Sequence, residues 1–150
     1  MNKPLVSILV PVYNVEAYLP QCLDSLVGQT YPHLQIVLID DGSTDGSWRV
    51  MQEYASRDER IEIYHQENQG VGATRNHLLE KIKGDYVLFV DSDDWVEENH
   101  IETLLPIDGE DLVFLAVLTD KSDVISVGIT CETGCIVDKV CDCLTLLKFI

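Results

Sequence analysis

Three short apolar runs constrain the fold of this chain most strongly. Val6 to Val10, Ile36 to Ile39 and Tyr86 to Val90 are continuous and rich in β-branched residues. Runs of this kind are typical of strands that are buried on both faces, which occur in parallel sheets covered by helices on each side. We therefore predict that the three runs are central strands of a parallel sheet.

The segments between the runs have helical periodicity. Apolar residues recur on one stripe from Val15 to Val27, where Pro20 is tolerable only near the first turn of a helix. A second helix is predicted to open at the capping residues Ser43 to Asp45. Its apolar face is predicted to comprise Trp48, Met51, Tyr54 and Ala55.

A third helix is predicted over Val71 to Ile82, with Val71, Leu78, Leu79 and Ile82 on its apolar face and with Gly84 as its stop. Ile61 to Ile63 alternates like a half-exposed strand. The resulting order, β-α-β-α-β-α-β, predicts an α/β fold with right-handed crossovers. Such folds bind their ligands beyond the carboxyl ends of the strands.

Polar residues follow the first, second and fourth predicted strands at this edge. They are Pro11 to Asn14, Asp40 to Asp45 and Asp91 to Asp94. Eleven acidic residues and no Lys or Arg lie between Gly84 and Asp120, so we expect a bound Mg²⁺ or Mn²⁺ at Asp91 and Asp93 to offset their repulsion. Such a cation would recruit a diphosphate.

Arg75 near the start of the third helix has two readings. With the backbone N–H groups of residues 68–74 it could meet an anion; taken alone, it fits a surface ion pair better. Capping roles in solvated loops account for Asp45 and Asp94. The histidines His33, His65, His77 and His100 show no ligand spacing and are expected to be bystanders.

The net charge and the cysteine content indicate which binding partners are disfavoured and which cellular compartment is expected. The net charge of −16 disfavours nucleic acid and direct electrostatic attachment to an anionic membrane. An odd number of cysteines, five, favours a reducing, cytoplasmic location. Their cluster at Cys131, Cys135, Cys141 and Cys143 could surround a zinc ion, but we favour small buried hydrophobic residues.

Four ordered motifs resemble family 2 glycosyltransferases of the GT-A fold. They are Pro11-Val12-Tyr13-Asn14-Val15-Glu16, Asp40-Asp41-Gly42-Ser43-Thr44-Asp45, Asn68-x-Gly70 with Arg75-Asn76, and Asp91-Ser92-Asp93-Asp94-Trp95. The resemblance covers about residues 4–105. It implies a nucleotide-sugar-binding α/β region over residues 1–105, the donor-binding part of a longer enzyme, with residues 106–150 continuing the same domain.

The resemblance implies an inverting transferase that moves a sugar from a nucleotide diphosphate, usually a UDP-sugar, to an acceptor hydroxyl. By that analogy Asp41 hydrogen-bonds a uracil-like edge and Asp93 ligates Mn²⁺ or Mg²⁺ on the diphosphate. The other implied nucleotide-sugar-binding residues are Pro11 and Tyr13 beside the base, Arg75 beside the nucleotide, Asp91 at the ribose or sugar, Ser92, and Glu16, whose position could also be structural.

Several alternatives remain open. No residue is assigned as the general base, because the acceptor-binding half of such enzymes lies further along the chain. A truncated domain that binds nucleoside diphosphates without transfer is the second hypothesis, and a phosphoryl-transfer or receiver-like protein is a weaker third.

The expected acceptor is a saccharide or a lipid-linked saccharide at the inner face of the membrane. The apolar end, Leu144 to Ile150, needs a cover: it could dock on the sheet, pair with a second copy of the chain, or be the cut edge of a longer enzyme.

Overall fold

The computed structural model describes residues 3–105 in full and, beyond them, the backbone of residues 112–118 and 124–130. The four helices in these residues are α1 (Leu19–Val27), α2 (Ser47–Ala55), α3 (Val71–Leu79) and α4 (His100–Leu104). The six strands are β1 (Val6–Val12), β2 (Leu34–Asp40), β3 (Ile61–His65), β4 (Tyr86–Phe89), β5 (Leu112–Leu118) and β6 (Val124–Thr130).

The strands form one sheet in the order β3-β2-β1-β4-β5-β6. β1 lies at its centre and pairs in parallel with β2 and with β4, so that Val6 is level with Leu34 on one side and with Tyr86 on the other. All neighbours up to β5 are parallel, and β6 is antiparallel to β5. The predicted α/β fold with a mainly parallel, helix-flanked sheet is confirmed.

The two faces of the sheet carry two hydrophobic clusters. Because side chains alternate along a strand, Ile8 and Val10 of β1 join the cluster beneath α1, α2 and α4. Leu9, between them, packs with Leu78 of α3 in the other cluster. This two-sided burial explains why β1 reads as an unbroken apolar run. The described residues contain no helix that is long and apolar enough to cross a membrane.

The three helices predicted between the strands are present as α1, α2 and α3 with different bounds, and α4 was not predicted. α1 has Pro20 in its first turn, as expected. α2 begins at Ser47 and not at the capping residues Ser43 to Asp45, because the side chains of Ser43 and Asp45 accept hydrogen bonds from the loop that follows β1. α3 ends at Leu79, and the side chain of Val71, predicted to be on its apolar face, is exposed.

Gly84 is not the stop of α3 but a point of close packing against β1. Its N–H donates to the Oγ of Ser7 at 2.9 Å, and the same hydroxyl donates to Gln35 inside the sheet. A Cβ added at Gly84 would lie 2.6 Å from the carbonyl oxygen of Leu5 and 2.8 Å from the Ser7 nitrogen. Both neighbours are backbone atoms of the central strand region and have little freedom to move.

We therefore expect Gly84→Ala to lower the free energy of unfolding by about 1–3 kcal/mol, the usual cost of overpacking. Gly72→Ala is the matched control, since a Cβ at Gly72 meets no atom within 4 Å and alanine favours the helix. Urea denaturation at neutral pH measures both variants. Equal stabilities for the two variants would contradict this account of Gly84.

Candidate functional site

A pocket of about 450 Å³ opens at the carboxyl edge of the parallel strands. Because β1, β2, β3 and β4 run in the same direction, the loops that follow them meet at this edge. Seven of the eight candidate binding residues contribute to its wall: Pro11, Tyr13, Asp41, Arg75, Asp91, Ser92 and Asp93. Glu16 is not among the lining residues.

Asp41, directly after β2, organises the loop that follows β3. Its Oδ1 accepts hydrogen bonds from the Gln66 side chain and the Gln69 N–H, both at 2.8 Å, and its Oδ2 accepts from the Gly70 N–H at 2.9 Å. Burial by itself would raise the pKa of Asp41, but these hydrogen bonds outweigh it and hold the pKa below its ordinary value. Asp41 is therefore an ionised carboxylate at the wall of the pocket.

The pocket wall also contains residues that the assigned set omitted: Asn68 and Gly70 of the loop between β3 and α3, Val71 and Thr74 of the first turn of α3, and Val12 of β1. The sequence signal that could have identified these wall residues was the motif Asn68-x-Gly70. Gly42 and Gly70 have φ angles of 74° and 89°, in the region that favours glycine. A Cβ on Gly42 would also lie 2.8 Å from the Asn68 nitrogen, so glycine allows these two loops to touch.

Arg75 and Asp91 form an ion pair inside the pocket. The Arg75 Nη2 lies 2.9 Å from the Asp91 Oδ1, and about a quarter of the Arg75 side chain and a third of the Asp91 side chain are exposed. The acidic segment has no basic residue of its own. The tertiary structure supplies one, Arg75, from α3. Arg75 is thus an ion-pair partner that also lines the pocket, and its role in binding an anion stays a prediction. Its buried Nε has no hydrogen-bond partner among the residues that the structure describes.

The segment Asp91 to Asp94 forms a turn after β4, closed by the Asp94 N–H donating to the Asp91 carbonyl oxygen at 3.0 Å. The thiol of Cys22 in α1 lies beneath it and donates to the same oxygen at 3.7 Å. Burial, with the nearby carboxylates, raises the pKa of Cys22 to about 12, so that it stays a neutral thiol. Ser92 is buried and Asp93 is exposed, so the turn directs the Asp93 carboxylate outward.

The described part of the chain contains no group of three or more His, Cys, Asp or Glu residues that could hold a metal ion. Asp91 is engaged by Arg75, which leaves Asp93 as the exposed carboxylate of the predicted pair. Mg²⁺ is commonly bound by one or two carboxylates together with substrate phosphates and water. The donor set therefore fits a cation that arrives with a diphosphate. The cysteine cluster at Cys131 to Cys143 and the apolar end Leu144 to Ile150 lie outside the described residues.

Glu16 belongs to a clamp between the loop after β1 and the start of α2. Its Oε2 accepts the Gly46 N–H at 2.8 Å, while the Asp45 Oδ2 accepts the Glu16 N–H at 3.1 Å. Asn14, at a φ of 50°, makes a second reciprocal pair, since its N–H donates to Ser43 and its side chain accepts the Thr44 N–H. The structure therefore gives Glu16 a role in holding this loop and no place in the pocket wall.

Comparisons with known proteins agree with the family that the sequence resembles. The sequence profile described as Glycosyl transferase family 2 matches residues 7–124. This chain belongs to that family. The glycosyltransferase GlyA of Streptococcus pneumoniae (serotype 4) is 50% identical over 99 residues, which are 66% of this chain and 14% of GlyA. The family 2 chain thus spans a small part of the length of this relative.

Two solved structures extend the comparison. S. aureus TarS 1–349 in complex with UDP-GlcNAc superposes with a TM-score of 0.62 at 33% identity, over 66% of this family 2 chain and 29% of the TarS 1–349 chain. The mannosyltransferase PcManGT of Pyrobaculum calidifontis, in complex with GDP-Man and Mn²⁺, has a TM-score of 0.58 at 27% identity, over 63% and 29% of the two chains. Both support the GT-A fold predicted from the sequence.

The ionised state of Asp41 makes stability depend on pH. A carboxyl group whose pKa is lower in the folded state contributes stability above its unfolded pKa of about 3.9 and loses it as the pH falls through the folded pKa. We expect Asp41→Asn to lower the free energy of unfolding by about 1–3 kcal/mol at pH 7. The difference from wild type should shrink below about pH 4. Urea denaturation across this range checks the result; a difference that is constant with pH would contradict it.

The Glu16 clamp yields a second stability test. We expect Glu16→Ala to cost about 1 kcal/mol, because the Gly46 N–H loses its acceptor. Glu16→Gln keeps an oxygen that can accept this hydrogen bond and should lose less. The exposed contact of Glu16 with Arg49 contributes little in either case. Thermal unfolding of wild type, Glu16→Ala and Glu16→Gln measures these losses of stability. Equal losses for the two variants would argue against the clamp.

Proposed function

We propose that this chain is the donor-binding part of an inverting glycosyltransferase that uses a UDP-sugar. The observation that carries the proposal is the convergence of Asp41, Arg75, Asp91 and Asp93 in one pocket at the carboxyl edge of the sheet. The UDP-GlcNAc held by S. aureus TarS, which shares this fold, supports the choice of a uridine nucleotide. In this proposal residues 1–105 form the binding region, and residues 106–150 continue the same domain.

The base would bind at the Asp41 end of the pocket. An ionised carboxylate only accepts hydrogen bonds, so Asp41 selects a base edge that presents an N–H, as the imide of uracil does. Oδ2 accepts a hydrogen bond from the Gly70 N–H, and a carboxylate oxygen can accept two. Tyr13, which is 49% exposed and lines the same pocket, offers an aromatic face for the base, with Pro11 beside it.

The diphosphate would bind near α3 and the Asp91 turn. The first N–H groups of a helix attract anions, and Gly70, Val71 and Thr74 at the start of α3 line the pocket. Arg75 adds a positive charge to an otherwise acidic wall, while Asp91 and Ser92 face the ribose or sugar. This arrangement separates the base and phosphate ends of the ligand.

Asp93 would hold the Mn²⁺ or Mg²⁺ ion, and the diphosphate and water would complete its coordination. When bound, this cation supplies a counter-charge for the negative charge that develops on the leaving diphosphate. The presence of Mn²⁺ with GDP-Man in PcManGT supports a divalent cation here.

Transfer requires a general base and an acceptor site, and we place both in the part of the protein beyond residue 105. The acceptor would be the hydroxyl of a saccharide or a lipid-linked saccharide, used at the cytoplasmic face of a membrane. The alternative function is binding of nucleoside diphosphate without transfer. It is favoured by the pocket wall, where the carboxylates of Asp41, Asp91 and Asp93 all have binding roles in this proposal and none is left to act as a general base.

Calorimetric titration of UDP into the purified chain tests the proposal. Binding in Mn²⁺ should weaken by about ten-fold or more in EDTA and in Asp93→Asn, since EDTA removes the cation that would contact the diphosphate and Asp93→Asn removes the carboxylate that would hold this cation. Glu59→Gln is the control, because Glu59 is exposed and precedes β3 at the opposite edge of the sheet. Lack of UDP binding by wild type under every condition would refute the proposal.

A second measurement separates the two candidate functions. Release of UDP from UDP-sugars by the chain, with water or an added saccharide as acceptor, would support transfer. Metal-dependent UDP binding without any such release would assign the binding function to this chain.

A further inference from the structure

A row of hydrogen-bonded side chains lies behind Asp41. The Gln66 Nε2 donates to the Asp41 Oδ1 at 2.8 Å and to the Thr74 Oγ1 at 3.2 Å. On its other side, the Gln66 Oε1 lies 2.6 Å from the Nδ1 of His77. Asp41 and Thr74 line the pocket, whereas Gln66 and His77 do not. The row therefore connects two wall residues to a histidine outside the pocket.

The chemistry of the partners determines the direction of every hydrogen bond in this row. An ionised Asp41 can only accept, so the amide NH₂ of Gln66 must face it. The Thr74 hydroxyl donates to the Gly70 carbonyl oxygen at 2.9 Å, which leaves its oxygen to accept from the same NH₂. Both contacts orient the Gln66 amide in the same way, and its oxygen must then face His77. The Nδ1 of His77 therefore carries a hydrogen.

We propose that His77 is a positioning residue for the nucleotide pocket, acting through Gln66 on the Asp41 carboxylate and the Thr74 hydroxyl. Its identification with a nucleotide pocket rests on the proposed function. The histidine, expected from the sequence to be a bystander, does not line the pocket itself. It holds the amide of Gln66 in the one orientation that satisfies Asp41 and Thr74 together.

The location of His77 on α3 explains how it acts. His77 and Thr74 are three residues apart and lie on the same face of the helix, so α3 contacts Gln66 at two points. Gln66 follows β3 directly, and its own N–H donates to the Asp40 carbonyl oxygen at 2.9 Å. The row thus links the end of β2, the loop after β3 and the first two turns of α3. A loss of the His77 contact would free the amide to rotate away from Asp41.

The first test needs no ligand. Nitrogen chemical shifts of the His77 ring, measured by NMR at a pH above its titration, report which nitrogen is protonated. We expect the Nδ1–H tautomer in the wild-type chain. The Nε2–H tautomer would overturn the proposal, because Nδ1 would then have no hydrogen to donate to Gln66.

The second test compares His77→Leu with His77→Asn. The Nδ2 of asparagine is as many bonds from the backbone as the Nδ1 of histidine and can donate to Gln66, whereas leucine cannot. We expect His77→Leu to weaken UDP binding by roughly ten-fold, the effect of one lost hydrogen bond, and His77→Asn to remain within about two-fold of wild type. Helix propensity alone favours leucine over asparagine, so a purely structural effect predicts the opposite order.

Titrations are made well below the unfolding temperature of each variant, as determined by circular dichroism. UDP affinity of His77→Leu equal to that of wild type, or equally weak binding by both variants, would overturn the proposal. Gln66→Leu combined with His77→Leu should bind no more weakly than Gln66→Leu alone, since the row is already broken. Additive losses would count against it.

A separate readout distinguishes failure of this proposal from failure of the proposed function. If wild type does not bind UDP, the proposed function is refuted. The row of hydrogen bonds is then tested by the amide hydrogen exchange of Gly70, whose N–H donates to Asp41. Exchange should be faster in His77→Leu than in His77→Asn. Equal exchange rates in the two variants would overturn the proposal. If His77→Leu does not fold, the tautomer measurement on wild type tests the proposal instead.

Discussion

Parallel pairing of β1 with both of its neighbours is the constraint on which the rest of the structure depends. With β2 and β4 level with β1, the chain must leave all three strands at the same edge of the sheet. Tyr13, Asp41 and Asp91 lie just beyond those ends and so face one pocket, although up to 78 residues separate them in the sequence. The same pairing buries β1 on both faces and requires helices on each side.

The pocket is built as much from hydrogen bonds between loops as from ligand-facing side chains. Asp41 satisfies backbone N–H groups of the loop after β3, and Glu16 and Asp45 satisfy those between β1 and α2. Buried backbone groups need partners, so these carboxylates hold the loops in place before any ligand arrives. In a chain with a net charge of −16, Arg75 moderates the acidity of the wall by pairing with Asp91.

Sequence reasoning succeeded where the signal is local and failed where it is not. Apolar runs and periodicity located the strands and the number of helices between them, because burial on one or two faces imposes a pattern on neighbouring residues. The start of α2 was misplaced, since Ser43 and Asp45 look like caps but bind the loop after β1. His77 was passed over because its partner, Gln66, is eleven residues away and gives no motif.

By itself, the sequence determined the α/β architecture, the family, and seven residues that line the pocket. Buried strands and short motifs can be recognised from residues that are neighbours in the sequence. Only the tertiary structure decided that Glu16 clamps a loop, that Arg75 neutralises Asp91, and that Gln66 and His77 stand behind Asp41. These roles depend on which side chains meet across the sheet edge. Such meetings follow from strand order and register, which no single segment of the chain encodes.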